Sequence, residues 1–177
     1  MNILSARKYP NVRNGALSLA EAEIRRLAYA IKDPRSLSAD FDAAAREMAR
    51  LIETPCWLIP IPDSNGSTRA NAILAAHIAR HRPGAQLVQA LRRTGPIESQ
   101  CVRHRRNLPS TPPDQHNLKA TIWTLGQRQI YFVDNVATSG NTMRAAYAAM
   151  QRGAGLVFAD AGARRRTHQT ANAPTLL

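Results

Sequence analysis

IYFVDNVATSGNT, residues 130–142, sets a run of apolar residues directly against Asp134 and Asn135. A short loop of Thr138, Ser139, Gly140, Asn141 and Thr142 follows, and NTMRAAYAAMQRG then shows helical spacing to Gly153. The order predicts a buried strand at 129–135, a tight turn and a helix at 141–153. In open α/β sheets, ligands bind outside the carboxyl ends of the strands. A helix N-terminus there presents N–H groups without intrahelical partners and favours an anion. Gly140 allows close backbone approach. Thr138, Ser139 and Thr142 add hydroxyl donors, and an acid just before them can accept from vicinal hydroxyls. A phosphate on one side and a diol on the other describe a ribose 5-phosphate. The structural alternative is that Ser139 and Asn141 only cap the helix.

Working outward, GLVFADAGA at 155–163 predicts another strand, and CWLIPIP at 56–62 a third. The loop DSNGSTR, 63–69, leads into a helix over 70–81, and AQLVQAL, 85–91, is a further strand candidate. Residues 92–121 hold no clean period, and an irregular stretch of that length in a small domain points to function or motion. Upstream, Ser18 and Glu21 form a capping-box pattern for a helix whose stripe is Leu19, Ile24, Leu27 and Ile31. A second helix covers about 38–53, with Phe41, Ala45, Met48, Leu51 and Ile52 on one face. Residues 1–15 read as an extended lead-in. Strands alternating with helices after residue 55 predict an α/β fold, a mostly parallel sheet flanked by helices. The divisions are 1–54, an N-terminal helical segment packed on the core; 55–163, the α/β domain; and 164–177, a basic and polar tail.

The 177 residues carry 24 Lys and Arg against 12 Asp and Glu, a formal charge of +12. This balance favours polyanionic partners, nucleic acid or phosphorylated small molecules; a solvated Arg-rich surface is the alternative. Cys56 and Cys101 give neither a zinc spacing nor a disulfide framework. No apolar run is long enough for a membrane span, and no signal-peptide h-region is present, so a cytoplasmic location is expected. A Walker loop and a dinucleotide G-x-G-x-x-G are both absent from the sequence.

IYFVDNVATSGNT resembles the phosphoribosyl pyrophosphate (PRPP) signature of type I phosphoribosyltransferases. WLIPIPDSNGSTRAN, 57–71, resembles that family's first strand and pyrophosphate loop. ALRRTGPIESQCVRHRRN, 90–107, resembles the region before the signature in the competence-associated ComF-like branch. The resemblance covers about 55–163. It implies that Asp134, with Asn135, holds the ribose hydroxyls as the catalytic pair. Thr138, Ser139, Gly140, Asn141 and Thr142 would bind the 5-phosphate. Asp63, Ser64, Asn65, Gly66 and Arg69 would form the pyrophosphate loop, with Arg103, Arg105 and Arg106 on a closing flap. Mg²⁺ would be the cofactor, carried by PRPP oxygens with Asp134 as the candidate protein ligand. The activity implied is phosphoribosyl transfer to a nitrogen of a nucleobase or related acceptor, with release of pyrophosphate; the family often forms homodimers. Many members carry two acids in the signature, whereas this chain has Asn135, which cannot act as a base. The alternative function is a non-catalytic module that senses PRPP or a nucleotide, or binds nucleic acid.

Other residues carry weaker signals. Asp160 ends a strand and is a candidate second acid. His77 and His81 have i, i+4 metal spacing without an evident third ligand. His104 and His116 are candidates for base or phosphate contact, Trp123 for stacking, Trp57 for the core, and Arg164, Arg165 and Arg166 for a phosphate-binding arm or a solvated tail.

Overall fold

Apolar runs on three strands, alternating between two covered faces, organise this chain into an α/β layer structure. The computed structural model describes residues 1–10, 16–99, 102–103, 106–122 and 124–162. The central sheet contains β1 (Ile3–Lys8), β2 (Cys56–Pro60), β3 (Ala85–Leu87), β6 (Gln129–Ala137) and β7 (Ala154–Asp160). Its order is β1-β7-β6-β2-β3, and every neighbouring pair is parallel. The helices are α1 (Leu19–Ala30), α2 (Ser38–Ala49), α3 (Arg69–His81) and α4 (Asn141–Met150). A separate antiparallel ribbon joins β4 (Leu91–Arg93) to β5 (Leu118–Ala120).

The period of two in each strand sends neighbouring side chains to opposite faces. Leu58, Tyr131, Val133, Leu156 and Phe158 form one buried cluster with Leu27, Ile31, Phe41, Met48, Leu74 and Ile78 of α1–α3 and their ends. Ile59, Ile130, Phe132 and Val157 face the other way and bury Met143 and Ala146 of α4 with Leu91 of the ribbon. Burial on both faces explains why the central strands read as continuous apolar runs.

The N-terminal helices pack on the sheet as expected. Ser18 caps α1 through a complete capping box with Glu21. Leu19, however, is 92% exposed. As the first helical residue it lies off the stripe that Ile24, Leu27 and Ile31 present to the core. α2 ends at Ala49, before the expected 53.

Three sequence readings change. Residues 3–8 are a strand, not a lead-in: ILSARK pairs with β7 from Ile3↔Gly155 to Lys8↔Asp160. The first 54 residues therefore contribute sheet as well as helix. The strand expected at 85–91 splits, because only Ala85–Leu87 pairs with β2, and the chain then turns so that Ala90 and Leu91 bury in the second cluster. The irregular stretch 92–121 contains the second half of β4, a short 3-10 turn at Pro113–His116 and β5. No helix among the described residues is long and apolar enough to cross a membrane.

Candidate functional site

β2 stops pairing with β6 at Pro60↔Val133, while β6 continues along β7 to Ala137↔Asp160. β6 thus runs two residues beyond the expected 135. Asp134 lies where β2 has just ended, at a notch in the carboxyl edge of the sheet. Its Oδ1 accepts from Asn135 N at 2.8 Å and from Asn71 Nδ2 at 3.2 Å. Asn71, buried on α3, also donates to Ile61 O at 2.8 Å. Burial pushes the Asp134 carboxyl above the ordinary aspartate range. The Asn135 and Asn71 bonds and the charges of Lys32 and Arg93 oppose that shift without cancelling it. Asn135 Oδ1 accepts from Val136 N at 2.7 Å, so this side chain serves the backbone past the end of β2.

The turn after β6 is built around Gly140, which has φ +73° and occupies the N-cap of α4. That left-handed conformation suits glycine. A Cβ at Gly140 would also lie 2.9 Å from Ile3 Cδ1. The first turn of α4 has no acidic residue and no side-chain cap from position 140. Ser139 Oγ accepts from Asn141 N at 3.4 Å. Asn141 is more committed than the sequence suggested: its Nδ2 donates to Thr111 O at 2.9 Å, and its Oδ1 accepts from Arg144 Nη1 at 2.5 Å. Arg144 also donates to Ser139 O at 3.1 Å. A guanidinium therefore stands beside the turn. Its i, i+3 spacing from Asn141 was the available sequence signal.

The second loop closes on itself. Asp63 Oδ1 accepts from Asn65 N at 2.8 Å and from Ser67 N at 2.9 Å, and Asp63 N donates to Ser67 O at 2.8 Å. Gly66 takes φ +90° at the turn. In this conformation the Asp63 carboxylate fills the small nest of N–H groups that an anion would use. Arg69 opens α3, whose first turn has no acid. A cavity of about 630 Å³ runs from Gly66–Arg69 along α3 to Gln89.

Arg93 ties the 63–67 loop to the turn at His116, a role not read from the sequence. Its Nε donates to Asp63 O at 2.7 Å, its Nη2 to Pro62 O at 2.9 Å and its Nη1 to His116 O. Its charge acts on both Asp63 and Asp134, although burial lowers its own pKa. Asn71, through Ile61 O and Asp134 Oδ1, holds 63–69 and 134–142 at the same edge of the sheet.

Two of the expected flap residues are held by an acid of their own segment. Arg103 and Arg106 both pair with Glu98, at 3.3 and 2.8 Å, and Arg103 Nε donates to Pro109 O. The segment is tied to the loop by Ile97 N donating to Ser64 O at 3.0 Å. Arg105, His104, Trp123, Cys101 and Arg164–Arg166 lie outside the described residues.

The other described candidates make contacts of their own. Asp160 Oδ1 accepts from Gly162 N, closing the turn after β7. His116 is fully buried with Nε2 at 3.2 Å from Thr111 O, and burial holds its pKa below the ordinary histidine value. His77 is buried and stacks on Phe41, while His81 Nε2 lies 2.7 Å from Asp42 Oδ1. Trp57 is half-buried, donates to Leu125 O and carries the Arg128 guanidinium 4.7 Å from its ring centroid. Among the described residues no group of three or more His, Cys, Asp or Glu is arranged to hold a metal ion. Comparison of the chain with protein-family models, with curated proteins and with solved structures finds no match.

Proposed function

We propose that this chain binds PRPP across the carboxyl edge of its sheet and transfers the phosphoribosyl group to a nitrogen acceptor. The observation that carries this reading is the sequence of parts at one notch: Asp134, the Gly140 turn, then the N-terminus of α4. The ribose hydroxyls would meet the Asp134 carboxylate, whose bonds from Asn71 and Asn135 both fall on Oδ1. The 5-phosphate would sit on the N–H groups of 139–142, with the hydroxyls of Thr138, Ser139 and Thr142 and the Arg144 cation around it. Pyrophosphate would take the 63–67 loop, with Arg69 beside it. For that, Asp63 Oδ1 must release the N–H groups of Asn65 and Ser67.

In transfer, the C1–O bond of the ribose breaks and pyrophosphate leaves with the electron pair. A C1–N bond forms and the acceptor nitrogen gives up its proton. Cations around the loop stabilise the leaving charge, and fixed donors need no reorganisation as it develops. Asp134 is a hard oxygen ligand, and Mg²⁺ commonly binds through one or two carboxylates plus substrate phosphates. When bound, Mg²⁺ would neutralise pyrophosphate charge. The residues fit that arrangement because no all-protein cage is needed.

A second reading, PRPP sensing without turnover, is favoured by one detail. Asn135 brings no charge, and its Oδ1 is spent on Val136 N–H. Release of pyrophosphate from PRPP against a panel of nucleobases separates the two. Turnover supports the enzyme; Mg²⁺-dependent binding without turnover on any acceptor supports the sensor.

A further inference from the structure

The carboxyl edge of the sheet has two sides. β2, whose loop is assigned to pyrophosphate, flanks β6 on one side, and β7 and then β1 flank it on the other. In substitution at C1 of the ribose, the entering nitrogen approaches opposite the departing oxygen. With the ribose at Asp134 on β6 and pyrophosphate over the 63–67 loop, the acceptor comes from the β7–β1 side.

β1 carries the chain to that side. Lys8 pairs with Asp160, and Tyr9 N donates to Asp160 O at 2.8 Å. Asp160 is level with Ala137, the last residue of β6, and Ala161 N donates to Ala137 O at 2.7 Å. Tyr9 thus stands two strands from β6, at the level where β6 ends. It packs on the first core cluster, and its hydroxyl bonds to Tyr29 and Arg25 of α1. Burial, with the Tyr29 bond, pushes the Tyr9 phenol up to about 12, so it stays neutral.

Tyr29 gathers two cations. The Arg25 guanidinium carbon lies 5.8 Å from the centroid of its ring, and Lys32 Nζ lies 5.4 Å from it. Positions 25, 29 and 32 are spaced by four and three, so their side chains are neighbours at the end of α1. Among the described residues neither Arg25 nor Lys32 forms an ion pair. The acids nearest in sequence are engaged elsewhere: Glu21 closes the capping box with Ser18, Glu23 pairs with Arg26, and Asp33 pairs with Arg35. Lys32 also lies within the field of the ribose carboxylate. Its charge acts on Asp134 more strongly than that of Arg93 does. Two cations on one ring, without a carboxylate of their own and beside the ribose position, make a place for an anion.

On the PRPP reading of the notch, we propose that Lys32 and Arg25 select the acceptor, a nitrogen nucleophile that itself carries a carboxylate. That carboxylate takes charge-assisted bonds from Lys32 Nζ and the Arg25 guanidinium. The nitrogen is then directed at C1 above Asp134. The C1–O bond breaks, the C1–N bond forms, and the nitrogen gives its proton to water. A neutral nucleobase would leave both cations unpaired. Tyr9 is a positioning residue that holds Arg25 and Tyr29 through its hydroxyl.

The test is saturation-transfer NMR of the full chain with benzoate and with benzamide, which share a shape and differ in charge, with and without saturating PRPP and Mg²⁺. The parent should bind benzoate about tenfold more tightly than benzamide. Lys32→Gln and Arg25→Gln should each remove most of that preference and leave benzamide binding and PRPP affinity close to the parent values. Lys32→Arg should retain the preference. Arg80→Gln, which removes an exposed cation from the far end of α3, should change neither ligand. Three results overturn the proposal: no preference for benzoate in the parent, an equal loss in Arg80→Gln, or displacement of benzoate by PRPP, which would place it in the phosphate loops. Loss of PRPP binding in Lys32→Gln would assign Lys32 to the ribose carboxylate and overturn it as well. A parent that prefers benzoate through Lys32 yet binds no PRPP would refute the PRPP reading and the acceptor role together, leaving a carboxylate site alone.

Discussion

Asp134→Asn separates function from stability at a single carboxylate. Burial raises the pKa of Asp134, so the folded chain holds a proton there more tightly than the unfolded chain does. For such a group the stabilising contribution is full below the unfolded pKa and is lost as pH rises through the folded one. At neutral pH the ionised side chain therefore costs stability. Asparagine keeps an oxygen for Asn135 N and Asn71 Nδ2, so the local bonds survive while the charge goes. The gain expected at neutral pH is about 1 kcal/mol, or roughly 2–4 °C in melting temperature for a chain of this size. The gain should shrink as pH falls toward the ordinary aspartate value near 4, where the parent also becomes neutral. PRPP affinity moves the other way. Losing charge-assisted bonds to the ribose hydroxyls costs about 2–3 kcal/mol, on the order of a hundredfold in Kd. Melting curves across pH, paired with PRPP titrations, measure both. A variant that is folded but no more stable at neutral pH would show that Asp134 is not held at a cost. Unchanged PRPP affinity would remove it from the ribose site.

Three further outcomes follow from the same contacts. Gly140→Ala should destabilise the fold by about 1–2 kcal/mol through its left-handed backbone. Ile3→Ala should relieve the contact with the new Cβ but not the backbone cost, which chemical denaturation of the single and double variants will show. Arg93→Met should cost about 2–3 kcal/mol, because the carbonyls of Pro62, Asp63 and His116 lose a shared donor, and it should weaken PRPP binding by loosening the 63–67 loop. His116 is held neutral by burial, so the unfolded chain takes up its proton first as pH falls. The stability it contributes is present above the unfolded histidine value near 6.5 and lost below it. His116→Gln should flatten that part of the stability–pH curve, read by denaturant melts on either side of it.

The sheet's centre was legible because its physics is local. An apolar run, an acid, a glycine turn and a helical period lie consecutively in 129–150, and both faces of β6 are buried. β1 was missed because ILSARK is an edge strand with Ser5, Arg7 and Lys8 among its residues, so neither alternation nor an apolar run marks it. The β4–β5 ribbon was hidden because each strand has three residues, and its partner lies across a long insertion. Within the site, Asp134 and the Gly140 turn were readable from order and spacing. Asn71 and Arg93 were not, since each acts through partners distant in sequence, and Arg144 left only its i, i+3 spacing from Asn141 as a signal. Asp63 and Asn135 show the converse: residue types suited to a ligand that the chain turns back onto its own N–H groups.

The notch at Asp134 and the Gly140 turn is expected to bind one kind of molecule, PRPP. Isothermal titration of the full chain with PRPP, with and without Mg²⁺, alongside Asp134→Asn, tests this most directly. The prediction is Mg²⁺-dependent binding by the parent that falls on the order of a hundredfold in the variant. A parent that binds no PRPP under either condition would contradict it, leaving the Gly140 turn as a helix cap at the end of a buried strand.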